Sequence, residues 1–196
     1  MRVILASSSP RRRQLLASIG LEFDVIPSHV PELRTEGEAP EEYVARLSRE
    51  KAGAIALDHP TAWIIAADTT VYLGDQVLEK PADADDAKRM LAAISGKTHV
   101  VYTGVTVLNA SSDYRDTRLA ETEVRMLPLA AEDIAWYVNT GEPMDKAGAY
   151  GAQGAGAVFI DSIHGSYTNV VGLPLALLFQ MLRRAGIDPL RRETNR

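Results

Sequence analysis

The sequence contains no cysteine, so disulfide scaffolds, thiolate-ligated zinc and cysteine nucleophiles are excluded. At 196 residues the chain is long enough to build a hydrophobic core without such staples. No stretch approaches the roughly 20 apolar residues of a membrane span. The apolar run at the start, Val3-Ile4-Leu5-Ala6, ends at Ser7-Ser8-Ser9-Pro10. It is too short for the core of a secretory signal and reads as a buried first strand, so a cytoplasmic location is expected. A basic excess is also missing. With 21 Lys and Arg against 26 Asp and Glu, the formal net charge is -5, which argues against nucleic-acid binding. Local positive charge inside an acidic protein still leaves room for a small anionic substrate. The Walker Gly-x-x-x-x-Gly-Lys-Ser/Thr pattern, the Gly-x-Ser-x-Gly elbow and the His-Glu-x-x-His zinc pattern do not occur, which removes support for P-loop, hydrolase-triad and zincin readings. Internal repeats and low-complexity linkers are absent as well, and a single domain over residues 1–196 is expected.

Strand and helix signals alternate along the chain. Val3–Ala6 reads as a strand, followed by a helix opened by Ser9-Pro10, running through Ile19 and closed by Gly20. Phe23–Ile26 is a short strand and Pro27–Pro40 a polar loop. Glu41–Leu57 has helical spacing, and Trp63–Ala67 suits a strand buried on both faces. Gly74-Asp75 between Val71–Leu73 and Gln76–Leu78 is a hairpin signal. Asp83 caps a helix to Ile94. Val100–Asn109 and Arg118–Met126 read as long antiparallel strands, joined through a polar segment around Ser111–Asp116. Ala130–Thr140 is a helix, Ala157–Asp161 a strand and Pro174–Ala185 the last helix. The pattern predicts an α/β fold with a mixed sheet in two lobes, whose cleft would favour a small ligand.

Several segments carry chemistry. At Ser7-Ser8-Ser9-Pro10-Arg11-Arg12 a strand runs into a helix N-terminus, where backbone N–H groups and the dipole favour an anion. Arginines in a first turn oppose that dipole, which makes sense if an anion sits there; a solvated arginine cluster beside a serine cap is the alternative. Asp68 follows a buried apolar run and should emerge at the strand's carboxyl end, as a metal ligand, a water-orienting group or a turn aspartate. Lys51 could face solvent or a cleft, and Lys80 is restrained by Pro81. His99 has no partner at metal-ligand spacing and is expected to be structural. The glycine-rich stretch from Gly141 to Gly154 lets backbone approach a flat ligand, with Gln153 offering both a donor and an acceptor. Tyr150 within it favours an ordered wall over a flexible loop. The arginines near the end, Arg183, Arg184, Arg191, Arg192 and Arg196, read as a helix end and a solvated tail.

Taken together, Ala6-Ser7-Ser8-Ser9-Pro10-Arg11-Arg12, Ala67-Asp68-Thr69, Lys80-Pro81, Ser95-Gly96-Lys97-Thr98-His99, Asp145 to Gly154 and Gly165 to Pro174 resemble the Maf family of nucleotide pyrophosphatases, in order and over nearly the whole chain. The resemblance implies a two-lobed α/β fold like that of inosine triphosphate pyrophosphatases and a divalent cation, Mg²⁺ or Mn²⁺. It implies hydrolysis of a nucleoside triphosphate between its α and β phosphates, a cytoplasmic location, no membrane or nucleic-acid partner, and allows a homodimer. On the matching positions Asp68 would be the proton acceptor, with Arg11, Thr69 and Gln153 selecting substrate. Ser7, Glu32, Lys51 and Lys80 would line the phosphate and metal cleft, Glu32 and Asp68 on the metal side. Asp-Lys-Ala-Gly with a downstream Gln-Gly resembles the subgroup acting on dTTP and UTP; a 7-methyl-GTP pyrophosphatase and a non-catalytic regulator of septum formation are the alternatives. Ala152 departs from the isoleucine more usual in the family, leaving the amide of Gln153 in place. A triphosphate carries roughly four negative charges, so a metal with Arg11, Lys51 and Lys80 would be needed to offset them. An ordinary aspartate, with a pKa of about 3.9, is a weak base; Asp68 needs a metal-activated water or must itself hold the metal.

Overall fold

The chain begins with a strand whose three residues are all buried, β1 (Val3–Leu5). It pairs in parallel with β2 (Asp24–Val25) on one side and with β3 (Trp63–Leu73) on the other. Parallel neighbours require crossovers, and two helices supply them: α1 (Pro10–Ser18) and α2 (Pro40–Asp58). These coordinates are a computed structural model, which describes residues 1–189. Arg191, Arg192 and Arg196 lie outside the described residues, whereas Arg183 and Arg184 occupy the last turn of a helix as expected.

The start of α1 follows its sequence signals closely. Ser9 Oγ accepts the Arg12 N–H at 3.4 Å, Pro10 takes the first helical position, and Gly20 leaves with φ +78°. The nineteen-residue α2 buries Tyr43, Val44, Leu47, Ser48, Lys51, Ala52 and Ile55. Its backbone lies against β5 (Thr98–Asn109) at Gly104, where a Cβ would stand 2.3 Å from the Val44 carbonyl oxygen. One turn on, the Ser48 and Thr106 hydroxyls bond at 2.8 Å. Val44, Ser48 and Lys51 follow at i, i+4 and i+7, so seating the first two inward turns the third inward too.

The chain divides into two compact units. The first comprises Met1–Asp68, Thr103–Ala120 and the segment from Gly172 onward. Ile4, Ala6, Ala52, Ile55, Ile64 and Ala66 form a core there, and α6 (Leu175–Arg184) buries Leu178, Met181 and Leu182. The second comprises Thr69–Tyr102 and Glu121–Val171. Its core gathers residues from β4 (Gln76–Leu78), α3 (Ala84–Ile94) and α4 (Ala131–Asn139), among them Leu78, Met90, Leu91, Ile94 and Tyr137. Asp83 caps α3 through the Asp86 N–H at 2.8 Å. β6 (Tyr114–Met126) carries β7 (Ile160–His164) antiparallel, with a register shift at Arg125/Met126, and α5 (Tyr167–Val171) follows. The strand order is β2-β1-β3-β5-β6-β7 with β4 on β3, a mixed seven-stranded sheet as expected. Among the described residues no helix is long and apolar enough to cross a membrane.

Four elements differ from the sequence expectation, the simplest being β6, which begins at Tyr114 rather than Arg118. The strand expected at Trp63–Ala67 continues to Leu73, because Thr69 and Thr70 suit a strand and Val71, Tyr72 and Leu73 pair with β4. Asp68 therefore lies inside an eleven-residue strand rather than at its carboxyl end. The strand expected at Ala157–Asp161 begins at Ile160, since Ala155–Phe159 winds as a 3-10 helix after Gly154, whose φ of +87° redirects the chain. The short helix α5 had no periodic signal long enough to be read. At the joint before β6, the polar segment closes as a 3-10 turn at Ala110–Ser112, with Asn109 Oδ1 accepting the Ser112 N–H.

Candidate active site

The first unit gathers several charged side chains around one buried carboxylate. Asp68, on β3, has 8% of its side chain exposed, and its Oδ1 accepts from the Lys51 ammonium at 2.5 Å. The same ammonium donates to Glu32 Oε1 at 2.5 Å. Lys51 is held there by the inward face of α2, its side chain 6% exposed. Glu32 comes from the loop before α2, is half exposed, and is fixed by its backbone, whose carbonyl accepts from the Tyr43 hydroxyl at 3.3 Å. Two carboxylates thus converge on one cation.

A second cation reaches this cluster from α1. Arg12 Nε donates to the Gly172 carbonyl at 2.8 Å, and Nη1 lies 3.5 Å from Ser7 Oγ. Ser7 Oγ also accepts the Ser9 N–H at 3.2 Å. The parallel register of β1 on β3 continues to Ala6, whose N–H donates to the Ile65 carbonyl. The chain therefore leaves β1 at Ser7 beside the stretch of β3 that leads to Asp68. Arg12 is close enough to interact electrostatically with both Asp68 and Glu32, and with Arg11.

Burial sets the protonation of the cluster. It holds the Asp68 carboxyl above the ordinary aspartate range, against the opposite pull of Lys51 and Arg12. Desolvation likewise lowers the Arg12 guanidinium, while the Asp68 and Glu32 carboxylates pull it back up. A carboxylate displaced upward is a stronger base than a solvated one, and it sits where developing negative charge would meet two cations.

Glu32 and Asp68 aim oxygens at one point, and Mg²⁺ is typically bound by one or two carboxylates plus phosphate oxygens and water. Lys51 Nζ fills that point here, so a divalent cation held by the pair would have to take the place of the ammonium. Among the described residues no group of three His, Cys, Asp or Glu side chains forms a metal cage, so the remaining positions would fall to substrate and water.

Of the residues singled out in the sequence, Ser7, Glu32, Lys51 and Asp68 come together in the first unit. Arg11 is half-buried beside Arg12. Thr69, Lys80 and Gln153 belong to the second unit, where Thr69 and Gln153 are half-buried and Lys80 is exposed. The sequence placed both arginines in the candidate anion-binding segment, and the resemblance gave a named role to Arg11 alone. The helical spacing held the signal: Arg12 stands three and four residues before Leu15 and Leu16, the two buried positions of α1. The glycine-rich stretch is packed along most of its length, in keeping with the Tyr150 it contains. Tyr150 is buried, and its hydroxyl bonds to Nε2 of the fully buried His99 at 2.8 Å, a structural role for that histidine.

A family model described as "Maf-like protein" matches residues 2–185. The chain belongs to the Maf family. This Maf chain is 48% identical over 185 residues to the dTTP/UTP pyrophosphatase of Myxococcus xanthus (strain DK1622), covering 94% of this chain and 93% of that protein. It is 49% identical to the protein of the same name from Koribacter versatilis (strain Ellin345), covering 95% and 96% of the two chains. The Geobacter sulfurreducens protein of that name is 48% identical, over 94% of this chain and 97% of its own. Among solved structures, the Staphylococcus aureus Ham1 protein superposes with a TM-score of 0.51 at 10% identity, covering 94% of this chain and 100% of that one. That likeness is one of fold, and it bears out the inosine triphosphate pyrophosphatase-like architecture implied by the motifs.

Proposed function

We propose that this Maf chain is a nucleoside triphosphate pyrophosphatase that hydrolyses dTTP and UTP to the monophosphate and pyrophosphate. The observation that carries the reading is the buried Asp68 carboxylate, held basic by its surroundings and flanked by Lys51, Arg12 and Glu32. Relatives named dTTP/UTP pyrophosphatase, matched almost end to end, support the substrate class. In this reading Asp68 takes a proton from the attacking water while the P–O bond between the α and β phosphates breaks. Arg12 and Lys51, with Arg11 and Lys80, offset the charge of the triphosphate. Ser7 holds the end of β1 against Arg12. Mg²⁺ or Mn²⁺ bound by Glu32 and Asp68 would supply further charge neutralisation and a more acidic water. The protein would act in the cytoplasm, without a nucleic-acid or membrane partner.

Base selection is assigned to Gln153 with Arg11 and Thr69. Uracil and thymine present a ring N–H flanked by carbonyls, a pattern that a carboxamide satisfies with its own oxygen and nitrogen. The two bases differ by one methyl group, worth only about 1–3 kcal/mol of discrimination, so both nucleotides should be cut. Cytosine reverses part of the pattern. The test is a pyrophosphate-release panel over UTP, dTTP, CTP and 7-methyl-GTP, with and without Mg²⁺. UTP and dTTP should lead, and Gln153→Glu should lower UTP turnover and narrow the gap to 7-methyl-GTP. A wild type preferring 7-methyl-GTP would overturn the subgroup. Stoichiometric nucleotide binding without pyrophosphate release would favour a regulatory binding protein instead.

A further inference from the structure

Glu142 takes no part in the cluster around Asp68, yet its carboxylate organises the segment that carries Gln153. Its Oε1 accepts from the Tyr137 hydroxyl at 2.9 Å and from the Gly156 N–H at 3.1 Å. Its Oε2 accepts the Ala155 N–H at 2.9 Å. The Tyr137 oxygen in turn accepts the Gly151 N–H at 2.9 Å. One carboxylate and one phenol therefore tie the chain two residues before Gln153 and two and three residues after it. The glycines make this wrapping possible. A Cβ at Gly154 would lie 2.6 Å from Glu142 Oε2, one at Gly156 2.4 Å from the Tyr137 oxygen, and one at Gly151 3.0 Å from Glu142 Oε1. The tie is well placed to be rigid. Tyr137 is fully buried on α4, and Lys146 Nζ donates to the Glu142 carbonyl at 2.5 Å.

The protonation states suit the arrangement. Burial pushes the Glu142 carboxyl up, but the Ala155 and Gly156 N–H groups, the Tyr137 hydroxyl and Lys146 outweigh it, and the group stays below its ordinary range. Burial and the Glu142 charge push the Tyr137 phenol well above its own. The carboxylate thus remains an acceptor and the phenol a donor. Within this scaffold Gln153 is half-buried, and no hydrogen bond to another described residue engages its carboxamide. The Tyr167 hydroxyl pins the preceding residue through the Ala152 carbonyl at 3.2 Å. The segment is fixed on both sides while the amide that would read a base is left to a ligand.

We propose that Glu142 is a positioning residue for base selection, holding the Gly151–Gly156 turn through Tyr137 and two backbone N–H groups so that the Gln153 amide meets the pyrimidine edge in one orientation. The proposal rests on the pyrophosphatase reading and on Gln153 as the base-reading residue. In Glu142→Gln one carboxylate oxygen becomes an NH₂ group. Whichever way the amide is turned, that NH₂ faces the N–H of Ala155 or of Gly156, and one tie is lost. A loosened turn blurs the contrast between matched and mismatched bases, which acts on the ratio of two substrates rather than on either alone.

The experiment measures kcat and KM for UTP and CTP in wild type, Glu142→Gln, Tyr137→Phe and the double variant. The expected result is a fall of about tenfold in the UTP-over-CTP ratio of kcat/KM, carried mostly by KM for UTP. Tyr137→Phe should move the ratio in the same direction, and the double variant should add little, because the two groups act as one unit. A purely structural role would lower the active fraction or Tm and leave the ratio unchanged; that result, or loss of the fold in both single variants, would overturn the proposal. A wild type that releases no pyrophosphate, or treats UTP and CTP alike, would overturn the underlying reading first and this assignment with it.

Discussion

Lys51→Met is the sharpest perturbation of the charge cluster, because methionine keeps much of the lysine stem and removes only the ammonium. The Lys51 ammonium pairs with Asp68 and with Glu32 at 2.5 Å each. Glu32 is half exposed and can turn to water, so its pair is worth at most about 1 kcal/mol. Asp68 cannot turn away, and removing one partner of a buried pair typically costs about 3–5 kcal/mol. Arg12 remains nearby, and the methionine regains packing, so a deficit of about 2–3 kcal/mol near pH 7.5 is expected. The sign of its pH dependence follows from the direction of the Asp68 shift. Burial already holds that carboxyl above its unfolded range, and losing Lys51 pushes it further. A carboxyl with a raised folded pKa contributes most below its unfolded value, near 4, and progressively less as pH rises toward the folded value. The deficit of Lys51→Met should therefore shrink as pH falls from 7.5 toward 5.5. Urea titrations followed by tryptophan fluorescence at the two pH values measure this. A variant as stable as wild type at pH 7.5, or a deficit indifferent to pH, would refute the pairing.

His99 is fully buried, and burial lowers its pKa from 6.5 to about 4. Because the folded value is depressed, its contribution is complete above pH 6.5 and is lost as pH falls through about 4, a loss of about 3 kcal/mol. His99→Gln should flatten the stability profile over that window in urea titrations at matched pH, by up to one proton's worth of slope. Gly104→Ala, which drives a Cβ onto the Val44 carbonyl, should destabilise by about 1–3 kcal/mol and lower activity by shifting the helix that carries Lys51; a silent substitution would remove the close approach from the account.

Much of this architecture is legible in local chemistry. The Ser9-Pro10 helix start, the Gly74 hairpin and the Asp83 cap fall where they were read, because each depends on a few adjacent residues. The readings that failed depend on partners remote in sequence. Strand β3 runs past Asp68 because β4 offers it hydrogen bonds, and β7 starts late because Ala155–Phe159 winds as a 3-10 helix whose first two N–H groups Glu142 accepts. The same distinction holds in the site. Asp68 could be picked out by its place after an apolar run, but whether Lys51 faced solvent or the interior was decided by Gly104 and Thr106, more than fifty residues away. Arg12 was hidden by its neighbour Arg11, since composition cannot tell which of two adjacent arginines turns inward. Glu142 carried no signal of its own beyond a glycine-rich stretch that follows it.

The central claim is that Asp68 performs the chemistry of a pyrophosphatase, and pyrophosphate release from UTP by wild type and Asp68→Asn tests it most directly. Asparagine preserves size and a hydrogen-bonding oxygen toward Lys51 while removing the charge needed to accept a proton or hold a cation. Wild type should yield pyrophosphate and UMP in equal amounts, and Asp68→Asn should lose at least about a hundredfold in turnover, within the usual 10²–10⁴ range for an acid–base group, with an unchanged circular dichroism spectrum. Turnover near the wild-type rate in Asp68→Asn would contradict the account.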